Sequence, residues 1–162
     1  MRKGFTIIEL ILVLGIMIAV GAVVFANLAG KKNNADITAT TQEVATLLRQ
    51  AQSDAAFQEN NTQASEVAWG VHFANTTTTA TPPFYALFTG SYAASTTVGY
   101  YSLPATVAYQ TSTLPAGATV DVIFSPITGV SSTSTNIGFY MPDESAAFSS
   151  TISIASSGAV SY

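Results

Sequence analysis

The sequence contains no cysteine, one histidine and few basic residues. Without cysteine no disulfide can stabilise the fold, so packing alone must do so. The five Lys and Arg residues all lie at or before Arg49, and residues 60–162 contain neither Lys nor Arg. Such a domain offers no cations for phosphate backbones, so nucleic-acid binding through it is not expected.

Residues that carry catalysis or bind metals are equally scarce. His72 has no nucleophile-elbow motif to accompany it, so we predict no enzyme activity, no catalytic residue and no cofactor. It falls on the polar phase of a predicted strand and is expected at the solvated surface. Asp143 and Glu144 follow Pro142 in a turn, but two adjacent acids fall short of a calcium-binding loop. No metal site is predicted.

What the sequence does have is a long apolar stretch near its N-terminus. It begins at Phe5, and every residue from Leu10 to Ala26 is apolar or glycine. The stretch is longer than the apolar core of a secretory signal peptide and lacks a closing cleavage site. Residues 5–29 are long enough to cross a membrane as a helix. Glu9 is the one acid within it, and an acid in such a helix indicates a functional site.

The residues around Glu9 resemble a known processing signal. Residues 3–10, Lys-Gly-Phe-Thr-Ile-Ile-Glu-Leu, are similar to the prepilin signal of type IV pilins and type II secretion pseudopilins. The resemblance implies that a prepilin peptidase cuts between Gly4 and Phe5, so that residues 1–4 are a leader peptide, and that it then N-methylates Phe5. It also implies that Glu9 serves filament assembly by pairing with the Phe5 amine of a neighbouring subunit.

Residues 30–60 are predicted to be the amphipathic half of the same helix, which Asn60 and Asn61 should end. A stripe of residues at spacings of four, three, four, three and four should pack on the chain's own domain. The stripe consists of Ile37, Thr41, Val44, Leu48, Ala51 and Ala55, and Leu47 widens it.

From Glu66 onward the hydrophobic period becomes two, which is typical of strands. Strands are predicted at residues 67–73, 84–88, 106–110, 119–124, 137–141 and 151–155, with a short terminal hairpin that turns at residues 156–158. The first two should pair with each other. The sequence therefore predicts an α+β fold, with one long N-terminal helix packed on an antiparallel β-sheet, and an antiparallel β globular domain over residues 61–162.

The globular part carries a second resemblance. Residues 69–73 (WGVHF), 85–88 (YALF), 122–126 (VIFSP) and 152–154 (ISI), followed by Gly158, look like the GspH/FimT group of minor pseudopilins. That group has a pilin-like fold, and its members are structural subunits rather than enzymes.

The resemblance implies a subunit of a type II secretion pseudopilus or a type IV pilus. Its partners would be the prepilin peptidase and other pilin or pseudopilin subunits. Before assembly it would span the inner membrane once, with the leader in the cytoplasm and the globular domain exported. Two alternatives stay open: a major type IV pilin, which Ala26 in place of the usual proline disfavours, and a membrane-anchored surface module that binds a ligand such as a sugar.

Overall fold

A computed structural model of the chain describes residues 6–57, 67–78, 80–142 and 148–162. These residues form one helix, α1 (Ile7–Ala56), followed by eight strands. The strands are β1 (Trp69–Ala74), β2 (Phe84–Thr89), β3 (Thr97–Ser102), β4 (Ala108–Tyr109), β5 (Thr119–Phe124), β6 (Thr135–Tyr140), β7 (Ser149–Ile154) and β8 (Val160–Ser161).

The chain forms two compact units, Met1–Ala35 and Asp36–Tyr162. In the second unit the predicted helical stripe is confirmed, because every one of its residues is buried: Ile37, Thr41, Val44, Leu47, Leu48, Ala51 and Ala55. Thr41 can be buried because its hydroxyl donates to the Ile37 carbonyl oxygen at 2.8 Å. The stripe packs with apolar side chains of the strands in one buried cluster, which is the main core of the unit.

The strands form two antiparallel sheets, whereas one sheet was predicted. The first has the order β3-β2-β1-β5, and the second has the order β4-β6-β7-β8. The predicted pairing of the first two strands is confirmed, with Val71 of β1 opposite Leu87 of β2. The chain leaves the first sheet after β5 through a turn at Pro126, which has no backbone donor with which to continue the ladder. The α+β class is confirmed.

Two strand predictions are corrected by the structure. Residues 97–102 form β3 at the edge of the first sheet, although no strand was predicted there. Because β3 is largely exposed and contains Gly99, it lacks the alternation of apolar and polar residues that identifies a half-buried strand. The strand predicted over residues 106–110 is reduced to the two residues of β4.

A tyrosine joins β4 to the first sheet through the core. The Tyr109 hydroxyl donates to the Phe84 carbonyl oxygen at 2.9 Å. Its ring meets Phe73 edge-on, with centroids 6.4 Å apart. Burial, with a smaller contribution from Tyr85, raises the pKa of Tyr109 well above its ordinary value. The hydroxyl therefore stays protonated and remains a donor within the core.

The turn after β5 is hydrogen-bonded to the end of α1. The last carbonyl groups of a helix have no partner within it. The Ile127 amide donates to the Ala55 carbonyl oxygen at 2.8 Å, and the Gln52 side-chain amide donates to the Gly129 carbonyl oxygen at 3.1 Å. This turn directly follows the Phe-Ser-Pro segment of the family resemblance, and its hydrogen bonds hold the end of the helix.

Ile127 is strained in this turn, because it is the one non-glycine residue among those described with a positive φ, at 66°. Its side chain is 56% exposed, so little packing would be lost on replacement. We expect Ile127→Asn to raise the free energy of unfolding by about 0.5–1 kcal/mol, because asparagine tolerates the left-handed region. Urea denaturation measures the change. Val130→Asn, which replaces another exposed apolar residue, should not raise the free energy of unfolding. An equal rise in both variants would show that backbone strain at Ile127 is not the cause.

Candidate functional site

The N-terminal site is only partly described. Gly4 and Phe5, the predicted cleavage and methylation positions, lie outside the described residues. Glu9 lies in the first turn of α1. Its Oε2 atom accepts hydrogen bonds from both the Thr6 backbone amide and the Thr6 hydroxyl, each at 2.9 Å. In return the Glu9 amide donates to the Thr6 Oγ1 atom at 3.4 Å.

These reciprocal bonds form a capping box, in which the residue before the helix and the third helical residue satisfy each other's backbone donors. Glu9 therefore has a local structural role that the sequence analysis missed. The signal was present in the sequence, since Thr6 and Glu9 have the spacing of the capping-box motif. This role does not use all the acceptor positions of the carboxylate, so it is compatible with a further partner.

The helix that follows is apolar on every side. Large apolar side chains between 45% and 81% exposed cover its described surface: Ile7, Ile8, Leu10, Ile11, Leu12, Val13, Leu14, Ile16, Met17, Ile18, Val20 and Val23. A helix that is apolar all round is normally buried, and continuous exposed apolar surface marks an interaction site. The surface of this helix in the first unit is therefore more stable in an apolar environment than in water.

Residues 5–29 are the segment for which a membrane crossing is predicted. Among the described residues, no helix combines the length and the apolar character that a membrane crossing requires.

The prediction of a solvated His72 is wrong, because this residue is 6% exposed. Its ring stacks on Tyr92, with centroids 3.5 Å apart and planes 2° apart. Its Nδ1 atom lies 2.5 Å from a carboxylate oxygen of Asp121, the residue opposite it on β5. Tyr92 belongs to the loop between β2 and β3, and it covers the face of the sheet that the sequence pattern assigned to solvent.

The ring of His72 contacts a carboxylate and the aromatic rings of Tyr92 and Phe84. No nucleophilic hydroxyl hydrogen-bonds to it in the part of the chain that the structure describes. Nor do the described side chains bring three or more metal-ligating groups together. Asp143 and Glu144 lie outside the described residues.

Comparison of the chain with protein-family models, with curated proteins and with solved structures finds no match in any of the three. The feature that most strongly indicates a function is the apolar N-terminal part of α1, Ile7 to Val23, with its one acid, Glu9.

Proposed function

We propose that this protein is a structural filament subunit, a minor pseudopilin of the GspH/FimT kind. It would assemble through its N-terminal helix into a type II secretion pseudopilus or a type IV pilus. The observation that carries the proposal is the helix surface from Ile7 to Val23, apolar on every side and exposed. It follows a sequence, residues 3–10, that resembles a prepilin signal.

The apolar helix surface favours both the membrane-inserted state and the assembled state of such a subunit over exposure to water. Burying one large aliphatic side chain contributes about 1.5–3 kcal/mol, so exposure of the whole set in water is strongly disfavoured. Before assembly we place residues 5–29 in the inner membrane. The only polar residues in this segment are Thr6, Glu9 and Asn27. The globular domain would be exported. After assembly, helices of neighbouring subunits would replace lipid around this surface.

Glu9 gives the packing a register. Within a helical bundle without water, its carboxylate needs a cation, because leaving one member of a buried ion pair alone costs about 3–5 kcal/mol. Cleavage after Gly4 would create a new amine on Phe5, and methylation leaves that amine positively charged. The Phe5 amine of a neighbouring subunit is the partner that we assign to Glu9.

The cleavage step tests this function directly. The full chain is produced in a bacterium that has a prepilin peptidase, and the N-terminal peptide is identified by mass spectrometry. We expect a chain that starts at Phe5 and carries one N-terminal methyl group. Gly4→Leu should leave the precursor uncleaved, because a bulky side chain blocks the junction. Thr38→Leu, a change far from the junction, serves as the control and should be cleaved. Cleavage of the Gly4→Leu chain would refute the proposal. Recovery of the unsubstituted chain only in its uncleaved, unmethylated form would also refute it.

A further inference from the structure

An open groove of about 500 Å³ lies in the second unit, between α1 and the edge of the first sheet. Its size falls within the range of small-ligand sites. Six polar or aromatic side chains form most of its lining: Gln42, Glu43, Thr46, Gln50, Tyr85 and Tyr101. The apolar members of the lining are Ala39 and Leu47.

Two stacked tyrosines form the sheet side of the groove. Tyr85 of β2 and Tyr101 of β3 are paired across the strands, and their ring centroids lie 5.3 Å apart with planes 10° apart. Tyr85 is buried, whereas Tyr101 is 37% exposed. The inner ring thus holds the outer ring in place, and the outer ring remains accessible to a ligand.

The buried tyrosine also positions an acceptor in the groove. Burial raises the pKa of Tyr85 well above its ordinary value, and the charge and hydrogen bond of Glu43 add to the rise. Tyr85 therefore stays a protonated phenol beside the Glu43 side chain, and both residues line the groove. A carboxylate has several acceptor positions, so Glu43 can accept further hydrogen bonds there.

The helix side of the groove is polar and uncharged apart from Glu43. Gln42, Thr46 and Gln50 follow one another at spacings of four, so they lie on one face of α1, and all three are exposed. Side-chain amides offer both donors and acceptors in one plane. Lys and Arg are absent from the lining residues described, so these residues offer no positive charge with which to hold a phosphate or a carboxylate.

We propose that this groove binds a neutral oligosaccharide. A sugar ring has an apolar face of C–H groups that packs on an aromatic ring such as Tyr101. Its hydroxyl groups both donate and accept, which matches a carboxylate and two amides placed opposite that ring. An apolar ligand would leave these polar groups without partners, which costs free energy. The proposal is independent of filament assembly, because every residue involved lies in the second unit.

Saturation-transfer NMR on the full chain tests the proposal. The protein is held in a detergent without a sugar head group, and cellopentaose, maltopentaose and chitopentaose are the probes. We expect transfer to at least one of them, with an affinity that Tyr101→Ala lowers about tenfold. Tyr100→Ala is the matched control, because Tyr100 is the next residue of β3 but stacks on Phe84 at the other face of the sheet. This variant should bind as the parent does.

A second variant keeps the test valid if Tyr101→Ala does not fold. Gln50→Ala changes an exposed helix residue, so its effect on the fold should be small, and we expect it to weaken binding severalfold. Absence of transfer to all three oligosaccharides would overturn the proposal. Binding that persists unchanged in both Tyr101→Ala and Gln50→Ala would also overturn it.

Discussion

Replacing Glu9 by glutamine is expected to lower incorporation of the protein into filaments by at least about tenfold, because it removes the charge that we propose to pair with the Phe5 amine of a neighbouring subunit. A broken buried pair costs about 3–5 kcal/mol, which exceeds the 1.4 kcal/mol that corresponds to a factor of ten. Filaments are sheared from the cells, and the ratio of filament to membrane-bound protein is measured by quantitative immunoblotting. Membrane insertion and cleavage should stay near normal.

Glutamine is chosen because the structure shows a second role for Glu9. A capping box accepts glutamine in place of glutamate, so Glu9→Gln keeps the start of α1 while it removes the charge. Thr6→Val makes the opposite change: it removes the hydroxyl that bonds to Glu9 and leaves the carboxylate charged. Loss of the capping hydroxyl costs about 1 kcal/mol, and we expect incorporation of this variant to be close to normal.

Comparing Glu9→Gln with Thr6→Val therefore distinguishes the effect of the Glu9 charge from the effect of the helix cap. Suppose that Glu9→Gln is incorporated normally while Thr6→Val is incorporated poorly. This result would show that Glu9 serves only the start of the helix. The proposed pairing with a neighbour would then be wrong, although the apolar helix could still assemble by packing. Glu9→Leu removes both roles and should show the larger loss of the two Glu9 variants.

The elements that could be predicted are those defined by neighbours in sequence. The stripe from Ile37 to Ala55 follows from helical spacing alone, and its residues are buried as expected. The hairpin of β1 and β2 was predictable because an alternating stretch and a short apolar run lie on either side of a Pro-containing loop. The capping bonds of Thr6 and Glu9 are equally local, and their motif could have been identified from the sequence.

The rest depends on contacts between distant residues. His72 follows the polar phase of β1, yet Tyr92, twenty positions away in sequence, stacks on it and covers it. Nothing near His72 in the sequence indicates that cover. The groove likewise needs the register that places Tyr101 opposite Tyr85, and β3 itself was not predicted. A stripe or motif search cannot find a site that strand pairing creates.

A second large effect is expected at Gly158, in the turn between β7 and β8. This glycine has a φ of +86°, and a Cβ atom added there would overlap the Gly129 carbonyl oxygen and the Gln52 side-chain amide. Left-handed backbone costs a residue other than glycine about 1–2 kcal/mol, and overpacking adds about 1–3 kcal/mol. We expect Gly158→Ala to lower the free energy of unfolding by about 2–5 kcal/mol in urea denaturation.

Gly117 offers a matched control, because its φ is +79° but no atom of the described residues beyond its two chain neighbours lies within 4 Å of the position of an added Cβ. Gly117→Ala should lose only the backbone contribution, about 1–2 kcal/mol. The difference between the two variants measures the close packing of the β7–β8 turn against the Gln52–Gly129 hydrogen bond, which links α1 to the turn after β5. Equal losses in the two variants would mean that this packing relaxes freely. A larger loss at Gly158 would show that the closing hairpin holds the end of the helix in place.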